Sequence, residues 1–176
     1  MAQQIVKAMP EVIHQGIVDT HTQQRLERFL ALEAALMDAH EYDRWITLWD
    51  SDEVLYWVPC NSDEQDPATG IAIIYDNRAR LLERVMRLKD KTAHAYRPLA
   101  RLVRSISGVV PLSVNGNELE VAASFVLGET RVGVQNIWLG KTHYHLVDSA
   151  DGYRIRSKKV MLLNNDDAMP NLTFLV

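Results

Sequence analysis

The chain predicts an α+β fold, with helices packed on one face of a curved, mainly antiparallel sheet. Three observations carry this reading. Apolar residues recur at helical spacing through the first half, extended runs rich in β-branched residues fill the second, and Asn-Gly and Asp-Gly pairs punctuate those runs.

The elements follow in order. Residues 1–18 have no clear period and are expected to form an arm ahead of one domain over 19–176. From Thr20 a helix begins: Leu26, Phe29, Leu30, Leu36 and Met37 make an apolar stripe, with Glu27, Arg28, Glu33 and Asp38 on the other face. Tyr42, Trp45, Ile46 and Trp49 space a second, short helix, an aromatic ridge with a polar back. Glu53 to Val58 reads as a strand that stops at Pro59. Asn61 to Gly70 is a polar, acidic loop. Asp76 to Lys91 is a helix with Leu81, Leu82, Val85, Met86 and Leu88 on its apolar side. Arg78, Arg80, Arg84, Arg87, Lys89 and Lys91 make its other side strongly basic. Such a face is either solvated or turned toward an acidic partner surface.

Pro98 closes the helical region. Residues 101–114 are extended, Asn115-Gly116 marks a tight turn, and Glu118 to Leu127 returns. Asn136 to Val147 forms a further strand, Ala150-Asp151-Gly152 a hairpin turn, and Tyr153 to Leu163 the antiparallel partner.

Composition narrows the function. The chain has 176 residues and a net charge of -4, which suits one domain and gives no footprint for nucleic acid or an anionic membrane. Its single cysteine, Cys60, permits neither an internal disulfide nor an iron–sulfur or Cys-rich zinc site, and reads as a free structural thiol. No apolar run is long enough to span a bilayer, and the N-terminus lacks a signal-peptide layout, so a soluble, cytoplasmic protein is expected.

The chemistry-bearing residues are few. Glycine-rich phosphate loops and the G-x-S-x-G elbow are absent. His143 and His145 stand two apart on a strand and share a face, close to Asp148. A mononuclear metal site needs three or four ligands, and no further pair of suitable spacing completes this one. The two histidines therefore read as a polar stripe backed by Thr142, Tyr144 and Leu146. Tyr42, Asp43, His94 and Tyr96 are the candidates for acid–base work if the sheet encloses a cavity; the alternative is that the tyrosines are packing residues and Asp43 and His94 are exposed.

Four stretches carry a resemblance. FLALEAALMDAHEYDRWITLWDSDEVLYWVP (29–59), IIYDNRARLLERVMRLK (73–89), RPLARLVRSISGV (97–109) and RIRSKKVMLLNND (154–166) occur in that order. They resemble the opening helices and first strand, the Asn-Arg helix, the Arg-then-Ile-Ser-Asn-Val strand and the closing Lys-x-Val-x-Leu-x-Asn-Asp strand of the small (β) subunit of bacterial aromatic-ring-hydroxylating dioxygenases. The match spans residues 26–176. It departs from the pattern at Gly108, where the family often has Asn, and at Val103, where some members carry a second Arg or polar residue; Arg101 keeps the first position.

The resemblance implies a nuclear-transport-factor-2-like cone and a structural role without catalytic, cofactor-binding or metal residues in this chain. The implied partners are a larger catalytic (α) subunit and other β subunits, as a trimer within an assembly of three α and three β subunits. The α subunit would carry a Rieske [2Fe–2S] cluster and a mononuclear iron, with electrons from NADH through a reductase, and the enzyme would add O₂ to an aromatic ring to give a cis-dihydrodiol. The one cysteine fits this division, since a Rieske cluster takes two Cys and two His. Trp49, Tyr56, Trp57, Arg101, His143 and His145 are the expected subunit-contact residues. The competing reading is a stand-alone dehydratase or isomerase of the same cone fold, working through polar groups inside its cavity.

Overall fold

The computed structural model describes residues 18–51, 53–61, 70–92 and 97–176. The arm expected over 1–18 lies outside these apart from Val18, as do His94, Tyr96 and most of the acidic loop.

Helix α1 spans Thr20–Asp38. Its N-cap is Asp19, whose carboxylate accepts from the Thr22 amide at 2.6 Å and satisfies one of the free donors of the first turn. Leu26, Leu30, Ala34 and Met37 are buried at the helical repeat. The helix ends in a Schellman motif: Glu41 N donates to Leu36 O at 2.9 Å and His40 N to Met37 O at 3.2 Å. His40 takes φ 55°, the left-handed conformation this cap requires. Helix α2, Tyr42–Trp45, runs into a 3-10 turn over Ile46–Leu48.

Strands β1 (Leu55–Pro59) and β2 (Ala72–Asp76) pair antiparallel. Asp76 therefore ends a strand rather than starting a helix; Asn77 caps helix α3 (Arg78–Lys89) by accepting from Arg80 N at 3.1 Å. Strand β2 escapes a sequence reading because four apolar residues, 72–75, have no period to distinguish them from the helix that follows. Only Leu81, Val85 and Leu88 of α3 are buried, and Leu82 and Met86 face solvent.

Four long strands follow: β3 (Arg101–Asn115), β4 (Glu118–Arg131), β5 (Val134–Ser149) and β6 (Gly152–Leu162). The six-stranded sheet has the order β2-β1-β6-β5-β4-β3, with β1 and β6 parallel and every other pair antiparallel. The first long hairpin turns at Gly116-Asn117, one residue later than Asn115-Gly116. The second turns at Val132-Gly133, where φ is 50° and 78°. Two positive φ values suit a tight hairpin, but a β-branched residue rarely adopts one, so the composition gives no warning of this turn.

Irregular pairing between Ser107 and Val110, Pro111 and Ser113, and His145 and Leu146 bends the sheet. Gly108 sits in the first of these at φ 58°. A glycine adopts this left-handed conformation without steric cost. The bent sheet wraps α1, and one continuous apolar core runs from Leu26 and Trp45 through Tyr56, Leu127 and Tyr144 to Val176.

Candidate functional site

The inside of the cone is where a stand-alone enzyme would keep its acid or base. Here α1 presents Glu33 and β6 presents Lys158 to each other, each only 1% exposed. Lys158 Nζ donates to Glu33 Oε1 at 2.8 Å. The same oxygen accepts from Trp45 Nε1 at 3.2 Å, and Oε2 accepts from the Tyr144 hydroxyl at 2.8 Å. The ammonium also lies 5.5 Å from the Tyr144 ring centroid and 5.9 Å from that of Tyr56, within reach of a cation–π attraction. Burial pushes the Lys158 ammonium below its ordinary range, with the Glu33 carboxylate acting against that shift. The Tyr144 hydroxyl is pushed well up, by burial first and by the adjacent Glu33 second. Both Glu33 oxygens are occupied by protein donors. The arrangement joins helix, sheet and α2; it presents no carboxylate to a substrate.

The last residues of the chain are packed into the same core. Phe174, Leu175 and Val176 are buried, and Phe174 meets Trp138 edge to face at 5.8 Å. The Tyr56 hydroxyl donates to Val176 O at 2.8 Å and accepts from Val176 N at 3.1 Å. Arg104 donates to Leu175 O at 2.9 Å and forms an ion pair with Asp38 at 2.7 Å.

Of the four acid–base candidates, Tyr42 and Asp43 are described, and they face different surroundings. Tyr42 is buried, and its hydroxyl meets His40 Nδ1 at 2.6 Å. The other ring nitrogen, His40 Nε2, donates to Ala100 O, 2.8 Å away, so the ring ties Tyr42 to the start of the long strands. Asp43 is exposed and paired with Lys89. His94 and Tyr96 lie outside the described residues.

The expected contact residues divide. Trp49 and Tyr56 are 3% and 0% exposed and stack edge to face with each other and with Trp45, at centroid distances of 5.3 to 6.1 Å. Within this chain they have almost no surface to offer a partner: the aromatic ridge turns Trp49 inward, and the alternation of β1 does the same for Tyr56. Trp57 points to the other side of β1 and is also covered, with Lys159 Nζ 4.3 Å above its ring. Arg101 and His143 are exposed and His145 half-buried on the outer face of the sheet. Thr142, Tyr144 and Leu146 alternate with the histidines and are buried. His145 Nε2 contacts Glu118 Oε2 at 3.1 Å, and Glu118 also accepts from Arg156. His143 is held below its ordinary range by partial burial first, then by Lys159 and Lys141. No group of three or more His, Cys, Asp or Glu side chains among the described residues is placed to hold a metal ion.

Glu33 is the residue that pattern reading misplaced. It was expected on the polar face of α1, yet Leu26, Leu30, Glu33 and Met37 step along one buried line. Lys158 was equally visible: counting back by twos from Leu162 through Val160 lands on it. A charged residue at an inward position on each of two elements was the available signal.

Comparison with known proteins matches this architecture. A family model described as the ring hydroxylating beta subunit matches residues 32–166. The small oxygenase component of the p-cumate 2,3-dioxygenase system of Pseudomonas putida is 33% identical over 143 residues, 80% of this chain and 79% of that protein. The crystal structure of the beta subunit of benzoate 1,2-dioxygenase from Burkholderia mallei superposes with a TM-score of 0.71 at 25% identity, covering 90% of this chain and 98% of that one. An NTF2-like protein with a cystatin-like fold from Novosphingobium aromaticivorans superposes with a TM-score of 0.57 at 14% identity, over 81% of this chain and 82% of that one, which identifies the cone fold alone. With a family model covering most of its length and a relative one-third identical, the chain belongs to the ring-hydroxylating beta subunits, the small components of aromatic-ring-hydroxylating dioxygenases.

Proposed function

We propose that this chain is the structural subunit of a terminal oxygenase and builds it together with a larger, catalytic α subunit. In this reading the α subunit holds the Rieske cluster and the mononuclear iron. It adds both atoms of O₂ to an aromatic ring, with two electrons delivered from NADH through a reductase and two protons, to give a cis-dihydrodiol. Three α and three β subunits, the β subunits meeting as a trimer, form the assembly in a cytoplasmic setting. The observation that carries the reading is the closed Glu33 cluster: Glu33 is bonded by Lys158, Trp45 and Tyr144, and Phe174 to Val176 are buried in the same core. A dehydratase or isomerase needs a group free to reach substrate, and this interior favours cohesion instead.

The test is co-expression with the α subunit of the same organism, followed by size-exclusion chromatography with light scattering and iron analysis of each separated subunit. The expected result is one hetero-oligomer with equal numbers of the two chains and all iron on the larger. A chain that stays apart from every such α subunit contradicts the proposal.

A further inference from the structure

We infer that the outer face of β3, β4 and β5, next to the turn at Val132-Gly133, is the surface that meets the α subunit, and that the matching surface on α is an apolar patch flanked by carboxylates. The inference rests on the β-subunit reading above and adds the place and chemistry of the contact.

The strand register assembles this face. Val103 and Ile137 flank Gly128 in one row, and Val126 and Leu139 are paired in the next. Leu163 joins them, its amide donating to Leu139 O at 2.9 Å. Val103, Ile137 and Leu163 are 71%, 74% and 75% exposed, and Val126 and Leu139 are also open. Five apolar side chains in neighbouring positions of one sheet face form a continuous patch, unlike the single exposed apolar residues that any surface carries. Edge placement does not explain Val126, Ile137 and Leu139, because β4 and β5 are central strands.

Charge defines the partner. The outward positions of Arg101–Ser107, Ser124–Thr130 and Gln135–His143 carry no carboxylate. Arg101 stands at one end of the patch; Lys141 follows it at the other, and the His143–Lys159 pair lies one row beyond. The same face of a second copy fits poorly. A twofold axis along the strands sets the lysine end against itself, and an axis across the strands through the patch sets it against Arg101. Cation meets cation either way, which is costly at an interface. A surface that is apolar at its centre and acidic at its rim satisfies both ends.

Ile137→Asp and the pair Lys141→Glu with Lys159→Glu test this in the co-expressed complex. Ile137 faces solvent, so Ile137→Asp is expected to melt like the parent chain while binding to α weakens by about tenfold or more. The double lysine variant is expected to slow association and to flatten its dependence on salt. Hydrogen exchange on the unaltered complex gives an independent reading: amides of residues 126–139 gain protection when α binds. Unchanged α binding by Ile137→Asp, or unchanged exchange in those strands, overturns the inference. Loss of self-association with α binding intact also overturns it, and assigns the face to a second copy. Failure of the unaltered chain to bind α contradicts the β-subunit reading itself.

Discussion

The inside and the outside of the sheet handle polarity in opposite ways. The interior holds a full ion pair, Glu33 with Lys158, in a place where water is excluded and each charge is paid for by partners from other elements. The outer face exposes Val103, Ile137 and Leu163 to solvent where polar residues would be cheap to place. The difference teaches where each region acts. A buried charge pair with every acceptor filled fixes the packing of helix on sheet, whereas an uncovered apolar patch has no use in the isolated chain and acts in assembly.

The largest effect expected from breaking this contrast is at Glu33. Glu33→Ala leaves the Lys158 ammonium buried without its carboxylate and is expected to cost about 3–5 kcal/mol in urea denaturation. The double variant Glu33→Leu with Lys158→Met removes both charges and is expected to recover only part of that loss, because the Trp45 and Tyr144 donors lose their acceptor. A double variant as unstable as the single would mean that the pair itself, rather than the orphaned charge, sets the stability.

Gly140 comes next. A Cβ there would lie 2.6 Å from the Met161 carbonyl oxygen and 2.7 Å from the Phe125 ring. Gly140→Ala is expected to cost about 1–3 kcal/mol through overpacking, read from the midpoint of thermal or urea unfolding. The outer face contrasts with this: Ile137→Thr, in the adjoining part of the same strand, is expected to change stability by no more than about 0.5 kcal/mol.

The smallest effect concerns the cap of α1. The backbone hydrogen bond from Thr22 holds the Asp19 carboxyl below the usual aspartate range, helped by the Thr22 side chain. A lowered folded-state value means that Asp19 stabilises the fold above the ordinary aspartate pKa, and that this contribution is lost as pH falls through the lowered value. Asp19→Ala is therefore expected to lower the melting temperature slightly at neutral pH and to make no difference in strong acid, as followed by circular dichroism.

Much of the fold was legible because it is written locally. The stripe of α1, the aromatic ridge of α2 and the alternation around Tyr144 and Leu146 each declare a period within a dozen residues. The Val132-Gly133 hairpin was not legible, since Val is a poor candidate for positive φ, and β2 was not, since its pairing with β1 is decided by tertiary contact. The same limit applies to the site. His143 and His145 drew notice because histidine spacing is conspicuous, yet they line an outer face. Glu33 and Lys158 lie 125 residues apart, and only the folded sheet brings them together. Aromatic residues mark interfaces, but Trp49 and Tyr56 show that they also build cores, one turned inward by the spacing of the ridge and the other by the alternation of β1.

In the proposed function, the Glu33–Lys158 interior of this chain holds the fold together and leaves the chemistry to the α subunit. The most direct test of this claim is turnover of the reconstituted oxygenase containing Glu33→Leu with Lys158→Met. The account predicts an intact hetero-oligomer with the turnover of the unaltered enzyme. An intact hetero-oligomer that binds its iron yet has lost its activity would contradict it.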